Sequence, residues 1–320
     1  MSQGFHRLLV TGGAGFVGSH LTRQLLGEGF EVTVIDDLSY GDIRNIQEMK
    51  GNKNFTFVKG DIRNLRLLKK ICGDVDAVFH EAALVSVPLS VDQPRLVNDV
   101  NVNGTLALLE AACRGPVRKI VLASSCAVYG DPAALPCSEE SPTYPKSLYG
   151  ATKLAAELYG KVYSEVQGIP TVVLRYFNVY GPSWSRSGEE TVVRSFITRL
   201  MDGKPPIVHG DGSQTRDFVY IRDVVRANLN ALVYNGKPYS VFNVGTGKPT
   251  RIIDLAYKVI QVFGLKGLEP IFHESRIGDI EHSYADVGRS LKELGYTPTI
   301  SLEEGLKMTV EWYKGRRLNS

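Results

Sequence analysis

Three glycines near the start of the chain, Gly12, Gly15 and Gly18, limit the possible fold more than any other feature does. They follow an apolar run over 7–11 that is typical of a buried strand, and they precede a helical pattern over 16–28. Glycines at this spacing allow a tight turn and let backbone N–H groups come close to a pyrophosphate. The helix N-terminus adds a partial positive charge. The sequence therefore predicts a dinucleotide-binding loop between a first strand and a first helix.

The first half of the chain alternates short β-rich runs with amphipathic helical patterns. Buried strands are predicted over 7–11, 31–36, 55–58, 77–80, 119–123 and 171–175. Helices are predicted over 16–28, 65–71, 94–113 and 149–167. Strands that alternate with helices in this way form parallel sheets joined by right-handed crossovers. The predicted fold class is therefore α/β, with a Rossmann-type doubly wound parallel sheet.

The regular alternation is lost after residue 180, where short strands and helices mix. This predicts two domains, a dinucleotide-binding domain over 1–180 and a smaller, mixed α/β C-terminal lobe over 181–320 that binds substrate. One run in the second half, 240–244, is again typical of a strand and is expected to rejoin the first sheet. The second domain would then be discontinuous.

Acidic residues follow the second and third predicted strands. The Asp36 carboxylate can accept hydrogen bonds from ribose hydroxyls and repels a 2′-phosphate. Asp37 follows it in place of an arginine, so the pair favours NAD over NADP. The alternative is that one of the two caps the following loop. Asp61, followed by Ile62, could accept a hydrogen bond from an adenine amino group, or it could instead cap the helix that begins near Leu65.

Tyr149 and Lys153 lie four residues apart in a predicted helix, about 6 Å along its axis, and so share one face. A free phenol has a pKa of about 10, and a nearby ammonium and the positive ring of NAD+ both favour the phenolate that a general base requires. Lys153 can also bind ribose hydroxyls. Ser125 follows the strand 119–123, at the sheet edge where ligands bind, although spacing alone leaves Ser124 as an alternative. Together these residues predict hydride chemistry at a carbinol.

Composition argues against several other classes of protein. The 320 residues carry a formal net charge of +3 with acids and bases interspersed, so no nucleic-acid partner is expected. No segment has the length and apolarity of a signal peptide or a membrane span. The four cysteines show no metal-binding spacing, so no metal is expected. They are expected to be reduced thiols, which predicts a cytoplasmic location. The helices 94–113 and 149–167 carry apolar residues on more than one side, which favours a homodimer, although helices fully buried within one chain would show the same pattern.

These motifs resemble those of the extended short-chain dehydrogenase/reductases, and more narrowly the NAD-dependent epimerase/dehydratase family with its UDP-galactose and UDP-N-acetylglucosamine 4-epimerases. The segments that carry the resemblance are 11–18, 60–62, 80–83, 101–105, 124–130, 149–153, 175–178, 216–218 and 276–279. The family's 4,6-dehydratases have a Thr-Asp-Glu triplet where this chain has Ser125, Cys126 and Ala127. Since the acids that eliminate water are missing, the resemblance implies a UDP-hexose 4-epimerase with tightly bound NAD and a 4-keto intermediate.

The same resemblance implies roles for individual residues. The catalytic residues are expected to be Ser125, Tyr149 and Lys153. Cofactor contacts are expected at Gly12, Gly15, Phe16, Val17, Gly18, Asp36, Asp37, Asp61, Ile62, Ala82, Ala83, Tyr149, Lys153 and Phe177. Substrate contacts are expected at Ser86, Ser125, Tyr149, Asn178, Ile207, His209, Arg216, Arg276, Asp279 and Ser283. Of these, Arg216 and Arg276 would clamp the diphosphate, Asp279 would hold a ribose hydroxyl and Asn178 a phosphate or sugar oxygen.

Ser283 bears on the size of the sugar, because some epimerases resembling this chain have a bulky tyrosine at that position. A serine leaves room for an N-acetyl group, unless neighbouring side chains refill the space. The expected substrates are therefore UDP-Glc and UDP-Gal, UDP-GlcNAc and UDP-GalNAc, or both pairs. Three other functions remain open on the sequence: a nucleotide-sugar reductase or dehydrogenase, a UDP-glucuronate epimerase or decarboxylase, and a dinucleotide-binding protein without turnover.

Overall fold

A computed structural model describes residues 4–184, 191–275 and 280–317 of the chain. Its strands are β1 (Arg7–Thr11), β2 (Glu31–Asp36), β3 (Phe55–Lys59), β4 (Ala77–His80), β5 (Lys119–Ser125), β6 (Thr171–Tyr176), β7 (Asn178–Tyr180), β8 (Ile207–His209), β9 (Thr215–Tyr220), β10 (Tyr239–Val244), β11 (Pro249–Arg251), β12 (Ile271–His273) and β13 (His282–Ser283). Its α-helices are α1 (Phe16–Gly27), α2 (Leu65–Cys72), α3 (Val87–Asp92), α4 (Pro94–Asn98), α5 (Gly104–Ala112), α6 (Leu148–Gln167), α7 (Val192–Met201), α8 (Ile221–Val233), α9 (Ile252–Phe263), α10 (Gly288–Glu293) and α11 (Leu302–Arg317).

Seven strands form one sheet in the order β10-β6-β5-β4-β1-β2-β3, and every neighbouring pair in it is parallel. The strand order reverses between β1 and β4, as it does in doubly wound folds. The predicted Rossmann-type α/β fold is confirmed. The strand that follows α8 in the second half of the chain, β10, pairs with β6 and so belongs to this sheet.

Helices cover both faces of the sheet because its central strands are apolar throughout. α1 and α8 pack together on one face, and α2, α5 and α6 pack on the other. The apolar residues of β1 divide between these two layers, since Leu8 and Val10 join the core on the α1 side and Leu9 joins the core on the α2 side. This alternation is the period of two that a strand imposes on its side chains.

The helix predicted over 94–113 is present in the structure, but it is not α-helical throughout. There α4 passes into a π-helical segment, Asp99–Asn103, before α5 begins. Asn101 lies in this segment, and its side chain bonds both the N–H and the carbonyl of Leu84 and the hydroxyl of Thr152. A π-helical turn widens the helix locally, and such turns occur often at functional sites. Here the turn brings an amide side chain to the loop that follows β4.

The remaining strands form two small sheets in the second half of the chain. In one, β9 pairs with β7 and β13 in parallel and with β11 in antiparallel fashion. In the other, β12 pairs with β8. Within residues 4–184, 191–275 and 280–317, none of the helices combines the length and apolarity that crossing a membrane requires.

Candidate active site

A cavity of about 1220 Å³ opens at the carboxyl ends of the strands of the large sheet, with residues of α7, β8 and β9 on its other side. It brings together most of the residues predicted from the sequence. Those that line it are Gly12, Gly15, Phe16, Val17, Gly18, Asp36, Asp37, Asp61, Ile62, Ala82, Ala83, Ser86, Ser125, Tyr149, Lys153, Phe177, Asn178, Ile207, His209 and Arg216. Ser283 is not among its lining residues, and Arg276 and Asp279 lie outside the described residues.

The loop between β1 and α1 and the first turn of α1 have no room for side chains at their glycines. Gly12 has a φ of +67°, and a Cβ atom there would lie 2.7 Å from the backbone of Ala82. A Cβ atom on Gly18 would lie 2.3 Å from the carbonyl oxygen of Gly12. Helix α1 starts at Gly15 without a side-chain cap, with its N-terminus at the cavity. This cradle fits the pyrophosphate of a dinucleotide, because bare backbone and the positive helix end both face it.

Asp36 is a buried carboxylate that organises the loops around it. One of its oxygens accepts a hydrogen bond from Ala14 N–H at 3.0 Å, and the other accepts one from Leu38 N–H at 2.9 Å. Burial raises the pKa of Asp36, and these two hydrogen bonds lower it again. A carboxylate accepts about four hydrogen bonds, so Asp36 can cap its loop and still accept from a ribose. The exposed Asp37 accepts from Ser39 N–H and hydroxyl.

Asp61 forms an ion pair and does not cap a helix. The carboxyl oxygens of Asp61 accept from the guanidinium of Arg63, which also reaches Asp99 at 2.7 Å. This pairing lowers the pKa of Asp61. The cap of α2 is Asn64, whose side chain accepts from Leu67 N–H, so the alternative of Asp61 as the cap is wrong.

A chain of hydrogen bonds holds the loop after β4 against the glycine cradle. Ala82 N–H donates to the Thr11 hydroxyl at 3.2 Å, and that hydroxyl lies 2.7 Å from His80 Nδ1. His80 Nε2 lies 2.9 Å from the hydroxyl of Thr105, which donates onward to the carbonyl of Asn101. Burial lowers the pKa of His80 to about 3, so the ring is neutral and both of its nitrogens are used.

Tyr149 and Lys153 lie near the start of α6, and both are buried. The hydroxyl of Ser147 caps this helix by accepting from Gly150 N–H at 3.0 Å. Gly150 lets the helix start come close to the turn after β5, since a Cβ atom there would lie 2.6 Å from the carbonyl oxygen of Ala127. The first turn of α6 and the residues around Ser125 therefore meet backbone to backbone.

The Lys153 ammonium has a backbone carbonyl as hydrogen-bond acceptor and two carboxyl groups near it. Its ammonium donates to the carbonyl of Ala123 at 2.9 Å. Burial lowers the pKa of Lys153 to about 8, against the opposing effect of Glu81 and Glu157. Glu81 is half-buried and accepts from the Tyr176 hydroxyl at 2.8 Å, and burial raises the pKa of its carboxyl to about 7. Both groups therefore titrate close to neutral pH.

The two serines at the end of β5 have different surroundings. Ser124 is 3% exposed, and its hydroxyl donates to Glu157 at 2.5 Å. Ser125 is half-buried, and its hydroxyl accepts from Ala127 N–H at 3.2 Å in a short turn over Cys126–Val128. A Ser hydroxyl accepts two hydrogen bonds and donates one. The Ser125 hydroxyl lines the cavity and has the weakly hydrogen-bonding thiol of Cys126 beside it, whereas the proton of Ser124 is bound by a carboxylate inside the protein.

The far side of the cavity carries polar groups from the second half of the chain. Asn178 has a buried side-chain oxygen with no hydrogen-bond partner among the described residues, although it lines the cavity. Arg216 donates to the carbonyl of Thr215 at 2.8 Å, and His209 lies 3.1 Å from the carbonyl of Glu274. Since buried polar atoms are normally paired, the Asn178 oxygen indicates a place for a ligand donor.

Ser283 and Ser86 differ from the other predicted substrate contacts. Ser283 is 6% exposed on β13 and hydrogen-bonds the thiol of Cys126, so it lies behind the turn that carries Ser125. Burial raises the pKa of Cys126 to about 11, which keeps this thiol protonated. Ser86 lines the cavity but also caps α3, because its hydroxyl accepts from Leu89 N–H at 3.2 Å.

Several cavity residues had no role assigned from the sequence. Among them are Glu81, Tyr176, Trp184, Arg199, Gln214 and His273. Glu81 and Tyr176 lie inside segments that carried the family resemblance, which was a signal that could have identified them. His273 had none, because it reaches the cavity only through the pairing of β12 with β8. No group of three or more His, Cys, Asp or Glu side chains in the described ranges could hold a metal ion.

A bare glycine cradle, an acid at the end of β2 and a buried Tyr-Lys pair in one cavity define a class of protein. It is a dinucleotide-dependent enzyme whose reacting groups lie where the coenzyme and a second ligand can meet.

Comparisons with known proteins identify the family. Residues 8–245 match the model of the NAD dependent epimerase/dehydratase family, so this chain belongs to that family and NAD is its cofactor. A UDP-glucose 4-epimerase of Mycolicibacterium smegmatis is 40% identical over 315 residues, 97% of this chain and 99% of the relative.

Among the solved structures that match, two have a TM-score of 0.92 and a bound or complexed UDP-sugar named with them. One is a Thermotoga maritima UDP-glucose 4-epimerase with UDP-glucose, 37% identical, covering 97% of this chain and 99% of that one. The other is a Methanobrevibacter ruminantium UDP-N-acetylglucosamine 4-epimerase in complex with UDP-N-acetylmuramic acid, 36% identical, covering 98% and 99%. The predicted family and an enzymatic function are confirmed. These relatives are named as enzymes, not as binding proteins without turnover.

Proposed function

We propose that this chain is a UDP-hexose 4-epimerase that inverts C4 of its sugar through a 4-keto intermediate while NAD stays bound. The observation that carries the proposal is the position of Ser125, Tyr149 and Lys153 on the same cavity as the glycine cradle. Relatives named as UDP-hexose 4-epimerases, similar over nearly the whole chain, support it. The turn Ser125-Cys126-Ala127 offers no carboxyl group to eliminate water, which argues against a dehydratase.

The cradle, Asp36, Asp61 and the backbone near Ala82 are the groups that would hold NAD, with Phe177 at its nicotinamide end. Bound NAD would supply the redox chemistry, with the oxidised form as acceptor of the C4 hydride and the reduced form as its donor to the other face of the 4-keto sugar. Tyr149 takes the proton of the 4-hydroxyl and gives it back, and the Ser125 hydroxyl donates to the same oxygen. Lys153 favours the phenolate of Tyr149 by its charge and can bind ribose hydroxyls.

The substrate is proposed to be anchored at its nucleotide end and held loosely at its sugar end. Asn178 and Arg216 would bind the diphosphate together with Arg276, because guanidinium groups match phosphate oxygens. Ile207, His209 and Asp279 would hold the uridine. Loose sugar contacts let the 4-keto sugar present either face while the diphosphate stays in place. Ser86 is the proposed contact at the sugar end, and the small Ser283, which does not line the cavity, is proposed to leave room beside the sugar.

The serine at 283 supports acceptance of N-acetylated sugars, so the proposed substrates are UDP-Glc and UDP-Gal, UDP-GlcNAc and UDP-GalNAc, or both pairs. The direct test incubates the purified protein with UDP-GlcNAc and separately with UDP-Glc, without added NAD, and resolves the epimers by NMR. Epimerisation of at least one is expected. Net oxidation or reduction of a sugar nucleotide, with epimerisation of neither, would contradict the proposal.

Tyr149→Phe tests the role of the phenol. It removes the hydroxyl and keeps the ring, so kcat should fall by about 10²- to 10⁴-fold, the usual contribution of a general base. Epimerisation at a near-normal rate would show that another group moves the proton. Tyr159→Phe, an exposed position on the same helix, is the matched control and should leave kcat unchanged.

We also propose a homodimer that forms through α6. Leu158, Val162 and Val166 are 57%, 53% and 70% exposed along this helix. A groove of about 680 Å³ lies beside its start, between α4 and residues such as Leu148 and Ala155. Exposed apolar faces of this kind mark interaction sites.

Val162→Arg should yield a monomer in sedimentation velocity. Phe272→Arg, on the exposed strand β12, should leave the dimer intact. A monomeric wild-type protein would refute this proposal without touching the epimerase proposal.

The proposed division of labour assigns cofactor binding to residues 1–180 and UDP-sugar binding to 181–320, with β10 returning to the first sheet. A cytoplasmic location is proposed because all four cysteines are free thiols in the structure and three of them have pKa values raised to about 11 or 12 by burial. Unpaired thiols are typical of a reducing compartment.

A further inference from the structure

We propose that the buried ion pair Glu157–Arg175, acting through Ser124 and Tyr129, positions Ser125 opposite Tyr149. The inference rests on the proposed function, since it concerns the geometry of the same reacting groups. Neither Glu157 nor Arg175 lines the cavity, so both act through other residues.

Glu157 lies on the face of α6 that carries the reacting groups. It follows Lys153 by four residues and Tyr149 by eight, and these spacings keep all three on one side of a helix. Its side chain is 3% exposed and that of Arg175 is 6% exposed. Arg175 donates to the two oxygens of Glu157 at 3.0 and 2.7 Å. Two donors in this fork geometry fix the carboxylate in one orientation.

The ion pair holds both ends of the segment that contains Ser125. On one side, Ser124 donates to Glu157 Oε1, the oxygen that also accepts from Arg175 Nε. On the other side, Arg175 donates at 3.0 Å to the hydroxyl of Tyr129, the residue that ends the short turn after Ser125. The Tyr129 hydroxyl donates onward to Asn243 at 2.6 Å.

α6 is therefore attached to β5 at consecutive residues, through Lys153 to the carbonyl of Ala123 and through Glu157 to the hydroxyl of Ser124. Ser125 is the next residue. A shift of α6 along β5 would break both attachments, and the register between Tyr149 and Ser125 is fixed by them. An ion pair as deeply buried as this one adds little net stability, which fits a role in specifying geometry.

The predicted consequence is a loss of kcat at constant KM. The hydrogen bonds described for Glu157 and Arg175 go to Ser124, Tyr129, Glu139 and each other, and not to the proposed substrate anchors Asn178 and Arg216, so binding should be preserved. Misplacement of reacting groups by about 1 Å lowers rates by up to roughly 100-fold.

The test compares Ser124→Thr with Ser124→Val, which add the same bulk and differ only in the hydroxyl. Ser124→Val should have a kcat at least 10-fold below that of Ser124→Thr, with KM for the UDP-sugar within about twofold. Ser124→Ala is the smaller variant if the added methyl prevents folding, and it should behave as Ser124→Val does. Ser164→Ala is the control, because Ser164 is a buried serine of α6 that bonds Pro238 far from the cavity.

Tyr129→Phe separates positioning from direct contact. Tyr129 is 2% exposed and does not line the cavity, so a lower kcat at unchanged KM there supports the inference. Full activity of Tyr129→Phe, with only the Ser124 variants impaired, would show that Ser124 touches the substrate and would overturn it. Equal kcat for the Thr and Val variants would overturn it as well. Both results require an active wild-type enzyme, so they are distinct from a failure of the proposed epimerase.

Discussion

Replacing Gly150 by alanine should lower kcat strongly and lower the melting temperature only slightly. The added Cβ atom would lie 2.6 Å from the carbonyl oxygen of Ala127 and 3.0 Å from Cβ of Pro145. Helix α6 and the turn after Ser125 must separate by 0.4 Å for the first contact to reach 3.0 Å, and by 0.8 Å to reach 3.4 Å. The atom in the way is a backbone oxygen, which, unlike a side-chain atom, cannot move aside by a change of rotamer.

The magnitude follows from this displacement. Overpacking of a filled site costs about 1–3 kcal/mol, and replacing a helical glycine by alanine returns up to about 1 kcal/mol. The melting temperature should therefore fall by a few degrees at most. Tyr149 precedes the substituted residue and moves with it, and misplacement approaching 1 Å costs roughly 10- to 100-fold in kcat.

Gly160→Ala is the matched control, because it lies on the same helix and its added Cβ atom would meet only the side chains of Leu122 at 3.3 Å and Thr171 at 3.5 Å. The assay is the rate of epimerisation at saturating UDP-sugar beside a thermal melt. We expect Gly160→Ala to keep full kcat and a melting temperature equal to or above that of the wild type. If Gly150→Ala keeps full kcat, the close approach of α6 to the Ser125 turn does not set the catalytic geometry.

Three further predictions follow from the cavity. Gly18→Ala should lower the NAD retained through purification, measured as nucleotide released on denaturation, whereas Gly27→Ala on the same helix, whose Cβ meets nothing within 4 Å, should not; equal retention would argue against the cradle. Glu81 has a pKa raised from 4.5 to about 7, so its contribution to stability is full below pH 4.5 and is lost as the pH rises through about 7; the melting temperature of Glu81→Gln relative to the wild type should rise across that window, and a constant difference would refute it. Lys153 has a pKa lowered to about 8, so its charge, and with it kcat, should fall above that pH, and a rate that stays level to pH 10 would show that the charge is not needed.

The elements that the sequence predicts best are those whose signal is local. The strand β1 and the start of α1 are marked by an apolar run and by glycines that the structure shows to be sterically required. The π-helical segment at Asp99–Asn103 has no such local signal, because it depends on an amide–backbone contact with Leu84, a residue of another segment.

Within the site, the sequence did not decide which of two adjacent residues is the reacting one. It also did not identify hydrogen-bond partners that lie far apart in the chain. Ser124 and Ser125 are adjacent and both line the cavity, but which hydroxyl is left for a bound molecule depends on a residue far along the chain, since the Glu157 carboxylate takes the hydroxyl of Ser124. Glu81 and Tyr176 are 95 residues apart, and their hydrogen bond exists only because β4 and β6 both end at this edge of the sheet. Spacing in sequence carries neither kind of information.

The proposed cycle consumes no coenzyme, so the cofactor site should be built to hold NAD rather than to exchange it. Hydrogen bonds to Ala14, in the cradle loop, hold that loop in place. Ala14 N–H donates to Asp36, and the carbonyl of Ala14 accepts from Asn45 Nδ2 at 2.9 Å. The same Asn45 side chain exchanges two hydrogen bonds with the backbone of Trp184, at the entrance to the second half of the chain. Because one buried amide joins the cradle loop to the segment that leads to the proposed substrate lobe, the loop cannot open without breaking that junction, and this favours retention of a bound cofactor.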